Sequence, residues 1–255
     1  MALFIDGEIS SLEDLKGQDS QLLDVASVEG IDVTRKVALA QDELGLELET
    51  LLGGLIREDA VFGQQPGQLL QRVVCTPALK LWHTFRTLEL VYIDGYYGQL
   101  NDRYKGKRDQ FHDRAQWARE KVIQTGIGMA WNPVPRAATP DLVTSPGASL
   151  PDGTYYATMA WINAAGEEGA SATPGCATTD ESVLVVRPAT PPVVATAWNV
   201  YVGTAPGTLI QQNVEPIAPG QTWRQTKAPS TEGRGPSVGQ SPSYMQPVPR
   251  VIQRG

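Results

Sequence analysis

His83 and His112 are the chain's two histidines, and Cys75 and Cys176 are its two cysteines. A zinc site needs three or four such ligands at short, fixed spacings on one or two elements. No two of these four residues have that spacing, so both histidines read as structural. Cys75 stands directly before Thr76-Pro77, where a helix start would lower a thiol pKa. With no base beside it in the sequence, it reads as a half-buried structural thiol. Glu167 and Glu168 are adjacent acids in an AAGEEG turn, and neighbouring side chains on a hairpin point apart, which does not suit paired acid–base work. Asp42, Glu43, Glu47 and Glu49 recur at helical spacing and read as the wet face of a helix in preference to a weak cation site. There is no GxGxxG, no P-loop and no GxSxG. The expectation is a chain that is not an enzyme, with no catalytic, cofactor-binding or metal residue.

One constellation has a second reading. Arg103, Lys105, Lys107, Arg108, Arg114 and Arg119 are interleaved with Tyr104 and Phe111, a mixture that can contact phosphates and stack on bases. Asp102, Asp109 and Asp113 dilute it. A solvated face is the leading reading of it, a basic loop docking on an acidic protein neighbour comes second, and nucleic acid comes last. The net charge of −7 also argues against a general nucleic-acid binder. Its distribution is uneven: residues 1–59 carry 14 acids against 4 bases, a net of −10, while residues 60–136 carry 6 against 11, a net of +5. Opposite faces of this kind can pair between copies and fix their register. The candidate interface residues are Asp42, Glu43, Glu47, Arg103, Lys105, Lys107 and Arg108, with Tyr244 and Arg250 in the C-terminal stretch.

The elements that must position these residues divide at Asn132–Pro151, where five prolines fall in twenty residues. Proline removes backbone donors and is excluded from helix interiors and central strands, so residues 132–150 read as a linker. Residues 1–31 lack a sustained period and read as an extended arm. Asp32 stands at an N-cap position, and Val33, Val37, Ala40, Leu44, Leu48, Leu51 and Leu55 follow at helical spacing, with Gly53-Gly54 ending or weakening the last turn. Thr76-Pro77 opens a second helix with Leu81, Phe85, Leu88 and Tyr92 on its stripe. A third helix, from about Asp109, carries Phe111, Ala115, Ala118 and Val122 and stops at Gly126. Stripes of this length cannot be buried singly, so residues 32–131 are expected to form a helical bundle.

Beyond the linker the period changes to two. Tyr155, Ala157, Met159 and Trp161 share one face of a long strand. Further strands are expected at Val183–Val186, Trp198–Gly203, Thr208–Ile210 and Gln221–Trp223. Short strands with frequent turns predict an antiparallel β-sandwich over residues 151–228. Trp161, Trp198 and Trp223 could form a glycan platform, but alternating tryptophans in strands read as core. Residues 229–255, rich in Pro, Gly and Ser, read as an extended tail whose removal leaves the rest folded. The expected fold class is α+β in two domains. No run reaches the roughly 18 apolar residues of a membrane helix, and MALFIDGEIS has acids where a signal peptide is basic, so no membrane association and synthesis in the cytoplasm are expected.

The pieces DGTYYATMAWINAAGEE, WNVYVGTAPGTL and APGQTW together resemble the immunoglobulin-like or fibronectin type III-like modules that decorate virion proteins of tailed bacteriophages. The order of an early acidic helix, a Thr-Pro-started aromatic helix and a basic helix ending near Gly126 resembles the head-to-tail adaptor, or neck, proteins of those phages. The resemblance implies a structural virion protein at the neck. It would form a ring, commonly of twelve copies, beneath the portal and join capsid to tail. Its partners would be the portal protein and the next neck or tail protein, with genome DNA passing through without sequence-specific binding. Two alternatives remain: another tail or baseplate structural protein, or a surface carbohydrate-binding or adhesion module.

Overall fold

In the computed structural model, which describes residues 1–56, 66–98, 102–147, 150–180 and 182–247, Ser11 and Asp14 form a reciprocal capping box. The Ser11 hydroxyl accepts from the Asp14 N–H at 3.2 Å, and the Asp14 carboxylate accepts from the Ser11 N–H at 2.7 Å. The cap opens helix α1 (Leu12–Gln18), and α2 (Leu22–Glu29) follows, closed by Gly30 in the left-handed region at φ +66°. The extended arm expected over residues 1–31 is therefore incorrect for most of its length. Leu15, Leu22 and Ala26 bury one side of the two helices, and the break at Asp19-Ser20 hid their period.

Helix α3 (Val33–Ile56) starts where Asp32 accepts from the Arg35 N–H at 3.0 Å. Val37, Ala40, Leu44, Leu48 and Leu52 are its buried stripe. The helix continues through Gly53-Gly54, which cost it stability without ending it. After the short α4 (Pro66–Leu70), the Thr76 hydroxyl caps α5 (Pro77–Tyr97) from the Leu79 N–H at 3.4 Å, with Pro77 at the first helical position. Helix α6 (Lys105–Thr125) begins a turn earlier than expected and ends at Gly126, at φ +92°. Its expected stripe, Phe111, Ala115, Ala118 and Val122, is buried. Helix α5 lies between α3 and α6 and also contacts α1 and α2.

Contacts divide the chain into two compact units. One is Gly7–Met129 with the described residues from Pro242, and the other is Met1–Asp6 with Ala130–Ser241. The helical unit is completed by strand β1 (Ile127–Met129), whose antiparallel partner comes from the C-terminal stretch. The second unit holds β2 (Asp141–Pro146), β3 (Gly153–Asn163), β4 (Gly175–Thr179), β5 (Ser182–Arg187), β6 (Ala195–Gly203), β7 (Ile210–Gln211) and β8 (Trp223–Gln225). Strand β9 (Ser243–Met245) is the partner of β1. All pairs are antiparallel, in the orders β2-β5-β8 and β4-β3-β6-β7. Tyr155, Ala157, Met159 and Trp161 of β3 share a core with Trp198, Val200 and Val202 of β6 and Leu184 and Val186 of β5.

Two further expectations need correction. The stretch expected as a linker is structured within its unit: Val134 and Ala137 are buried, and β2 pairs with β5. Strand β2 is the outermost of its sheet, and an edge tolerates Pro146 because one side of an edge strand needs no donor. The tail is extended but not free. Ser237 O accepts from the Ser171 N–H, Arg234 O accepts from the Gln211 N–H, both at 3.0 Å, and Gln240 is buried with its side chain accepting from the Val134 N–H at 2.6 Å. The Met1 amino group donates to Gln240 O at 2.9 Å, so the first residues rest on the same stretch.

Gly128 is where the β1–β9 pairing is tightest. A Cβ there would meet Thr76 Cγ2 at 2.6 Å and Pro242 Cβ at 2.9 Å. Gly128→Val is expected to cost about 1–3 kcal/mol by overpacking and to release β9, read as faster proteolysis near Ser243–Met245 and a lower denaturation midpoint. Deleting residues 229–255 is likewise expected to lower the midpoint, where an unchanged midpoint would show that the docked tail contributes nothing.

Candidate assembly surface

The acidic face of α3 meets basic residues of its own chain. Glu43 accepts from Arg86 Nε at 2.6 Å, Arg86 also pairs with Glu89 at 2.7 Å, and His112 Nδ1 lies 2.8 Å from the other Glu89 oxygen. Glu47 is bonded by Arg119 of α6. Burial works against the Arg86 charge, but its hydrogen bonds to the Glu43 and Glu89 carboxylates outweigh it and hold its pKa above the ordinary value. Glu43 and Glu47 were expected to pair between copies; they close within one copy, because α5 brings Arg86 and the flank of α6 brings Arg119 to them. Sequence separation concealed this, since charge sign alone does not say which chain supplies the partner.

The basic stretch divides in the same way. Lys107 Nζ donates to Asp19 at 3.0 Å, and Asp19 also accepts from the Tyr92 hydroxyl at 2.5 Å and the Gln21 N–H at 3.1 Å. Burial raises the Asp19 pKa, but these three donors more than compensate and lower it. Arg108 pairs with Asp109 at 2.7 Å and lies over the Tyr96 ring at 4.3 Å. Arg103 and Lys105 are exposed, with the Arg103 guanidinium 5.3 Å from the Tyr104 ring centre. Tyr104 is buried against Tyr92 and donates to Glu29 at 2.9 Å, so it is not a base-stacking platform. Tyr244 is half exposed on β9, and Arg250 lies outside the described residues.

Large apolar side chains also stand at the surface of the helical unit, among exposed charges. Leu46 is 68% exposed, Leu39 40%, Trp117 50% and Tyr97 77%. Asp42 lies exposed on α3 between Leu39 and Leu46. A cleft of about 640 Å³ is lined by Gly30, Asp32, Leu39, Asp94 and Tyr97, with Lys36 and Asp94 paired across it at 2.5 Å. Sequence reasoning missed these apolar positions. The signal was present: Leu39 and Leu46 are seven residues apart and stand off the buried stripe.

In the β unit, Glu167 and Glu168 point apart and hold the docked C-terminal stretch. Glu167 accepts from Asn163 Nδ2 at 2.8 Å and Gln240 Nε2 at 2.9 Å, and Glu168 accepts from the Tyr201 hydroxyl and pairs with Arg234 at 2.6 Å. Burial and the Glu168 carboxylate push the Tyr201 pKa up. Trp161 and Trp198 are buried and Trp223 packs against the same core, which removes the glycan platform. A separate cleft of about 870 Å³ is lined by Asp152, Thr154, Gly203, Ile210 and Ser230. Cys75 is half-buried and Cys176 exposed, both reduced. Among the described residues no group of three His, Cys, Asp or Glu side chains is placed to hold a metal ion, and no helix is long and apolar enough to cross a membrane.

His83 is fully buried in α5, with Nδ1 2.9 Å from Ser10 Oγ and Nε2 3.1 Å from Val37 O. Nε2–H donates to the Val37 carbonyl, and Nδ1 shares a hydrogen bond with the Ser10 hydroxyl. Burial lowers its pKa from 6.5 to about 4. An unfolded chain therefore takes up this proton first as pH falls. The contribution of His83 is complete above about pH 6.5 and declines by about 3 kcal/mol as pH falls to about 4. Urea midpoints across that range test this, and His83→Gln is expected to flatten the slope. The lowered pKa of Asp19 adds a loss only below its unfolded value of 3.8.

Compared with known proteins, the chain matches no family model, no curated protein and no solved structure.

Proposed function

We propose that this chain is a structural virion protein of a tailed bacteriophage, a head-to-tail adaptor whose helical unit builds a ring beneath the portal and joins capsid to tail. The observation that carries this reading is the character of the helical unit's surface. Glu43, Glu47 and Lys107 are closed in internal pairs, while Leu39, Leu46, Tyr97 and Trp117 stand exposed on its helices, Tyr97 against the Tyr96 ring and Trp117 beside the Lys121 ammonium. Large apolar side chains exposed on packed helices fit association surfaces on more than one side of the unit. The order of acidic, aromatic and basic helices that resembles phage adaptors is the order of α3, α5 and α6.

On the same reading the β unit is an immunoglobulin-like or fibronectin type III-like sandwich, a second domain that spaces or decorates the neck. Its two antiparallel sheets with one shared core support this. Glycan recognition is disfavoured for it, since the tryptophans that would form a platform are consumed in that core. The mechanical task needs no turnover: repeated weak contacts around a symmetric ring add together when all engage at once. DNA would pass through such a ring without sequence-specific binding.

The test is to mix the purified chain with the portal ring encoded in the same phage genome and weigh the product by native mass spectrometry. A stoichiometric ring complex is expected. A chain that remains separate from the portal, yet binds a tail-tube or baseplate protein, would replace the adaptor assignment with a tail one.

A further inference from the structure

Two exposed stripes of the helical unit carry large apolar side chains flanked by charges, with Asp42 on one and Arg114 and Lys121 on the other. On α3, Leu39 and Leu46 are two turns apart on one face, opposite the buried Val37, Leu44 and Leu48; Leu46 is the more exposed, and Leu39 borders the cleft that Asp94 and Tyr97 of α5 also line. Asp42 lies between them, Glu49 follows on the same side, and Arg35 stands at the N-terminal end of the stripe. On α6, Trp117 is two residues from Arg119, about 200° around the helix. Arg119 is the residue that reaches Glu47 of α3; Trp117 therefore looks away from α3. It is flanked by Arg114 and Lys121, with Asp113 and Glu120 beside them. The Lys121 ammonium lies 6.0 Å from the Trp117 ring centre and donates to Gln124 at 2.8 Å, and Arg114 lies 5.6 Å from the Phe85 ring centre.

We propose that the Trp117 stripe of α6 docks on the Leu39–Asp42–Leu46 stripe of α3 in a second copy of this chain. The contact rests on the ring reading above and names its surfaces. Leu39 and Leu46 receive the indole, and Asp42 meets Lys121 and Arg114. A half-exposed Trp between two cations is the side-chain type that dominates interface energetics, and a cation–acid rim fixes the register. Leu46 and Trp117 face out from different sides of the unit, so the two stripes cannot meet within one copy. An isologous pair treats its copies alike and cannot turn both sides of the unit to one two-fold axis, so it leaves the same stripe uncovered on each. A head-to-tail contact uses both on every copy and closes into a ring when the rotation allows.

The experiment is sedimentation of the full chain over a concentration series, alone and with the portal ring, for the parent chain and for Leu46→Glu, Trp117→Ala, Asp42→Lys, Lys121→Asp and the Asp42→Lys/Lys121→Asp double variant. The four positions are exposed or half-buried, and circular dichroism checks the folding of all five variants. The parent chain is expected to self-associate. Each single variant is expected to weaken association by about ten-fold or more, and the double variant to recover part of what either charge change loses. If the parent associates and every variant associates equally well, the assigned stripes are wrong and the ring reading stands. If the parent stays a single chain both alone and with the portal, the ring reading falls and this contact falls with it.

Discussion

Helix α5 is buried along most of its length, and yet it carries His83, Thr84, Thr87 and Glu89 in that burial. Buried polar groups without partners are costly, so the rest of the helical unit is arranged to supply them. Ser10 and the Val37 carbonyl complete His83. Thr84 and Thr87 return their hydroxyls to carbonyls one turn back, Lys80 and His83. Arg86 and His112 complete Glu89, and Arg86 in turn holds Glu43 of α3. The segment before α1, the start of α3 and the first half of α6 are thus each fixed by a polar group of one helix. Apolar stripes alone would allow the helices to slide; these bonds set their register.

The parts of this arrangement that were legible in the sequence are those decided within a few residues. Asp32 and Thr76-Pro77 mark helix starts through their own side chains, and Phe111, Ala115, Ala118 and Val122 mark a buried face through their spacing. Tyr155, Ala157, Met159 and Trp161 mark a sheet face in the same local way. The capping box at Ser11 and Asp14, with Gly30 as a stop, was equally local and was obscured by the polar residues around it. The pairing of Ile127–Met129 with Ser243–Met245 was not legible, because three-residue strands have no period and the partner is remote in the chain. Nor was strand β2, whose prolines argue against a central strand and say nothing against an edge.

The candidate interface residues show the same division. Acidic and basic blocks are visible in composition, but closing Glu43 on Arg86 and Glu47 on Arg119 within one copy is a tertiary event. It moves attention from the charged faces to the apolar positions they leave uncovered. In the β unit, Glu167 and Glu168 follow the same logic: adjacent acids in a turn are the two anchors of a docked C-terminal stretch through Gln240 and Arg234.

The central claim is that the outer faces of α3 and α6 are covered when the chain assembles. Hydroxyl-radical footprinting read by mass spectrometry measures this residue by residue, in the free chain and in the assembled particle. The account predicts strong labelling of Leu46, Leu39 and Trp117 in the free chain and clear protection of all three in the assembly, with buried Trp161 and Trp198 unlabelled in both. Equal labelling of Leu46 and Trp117 in the two states would contradict it.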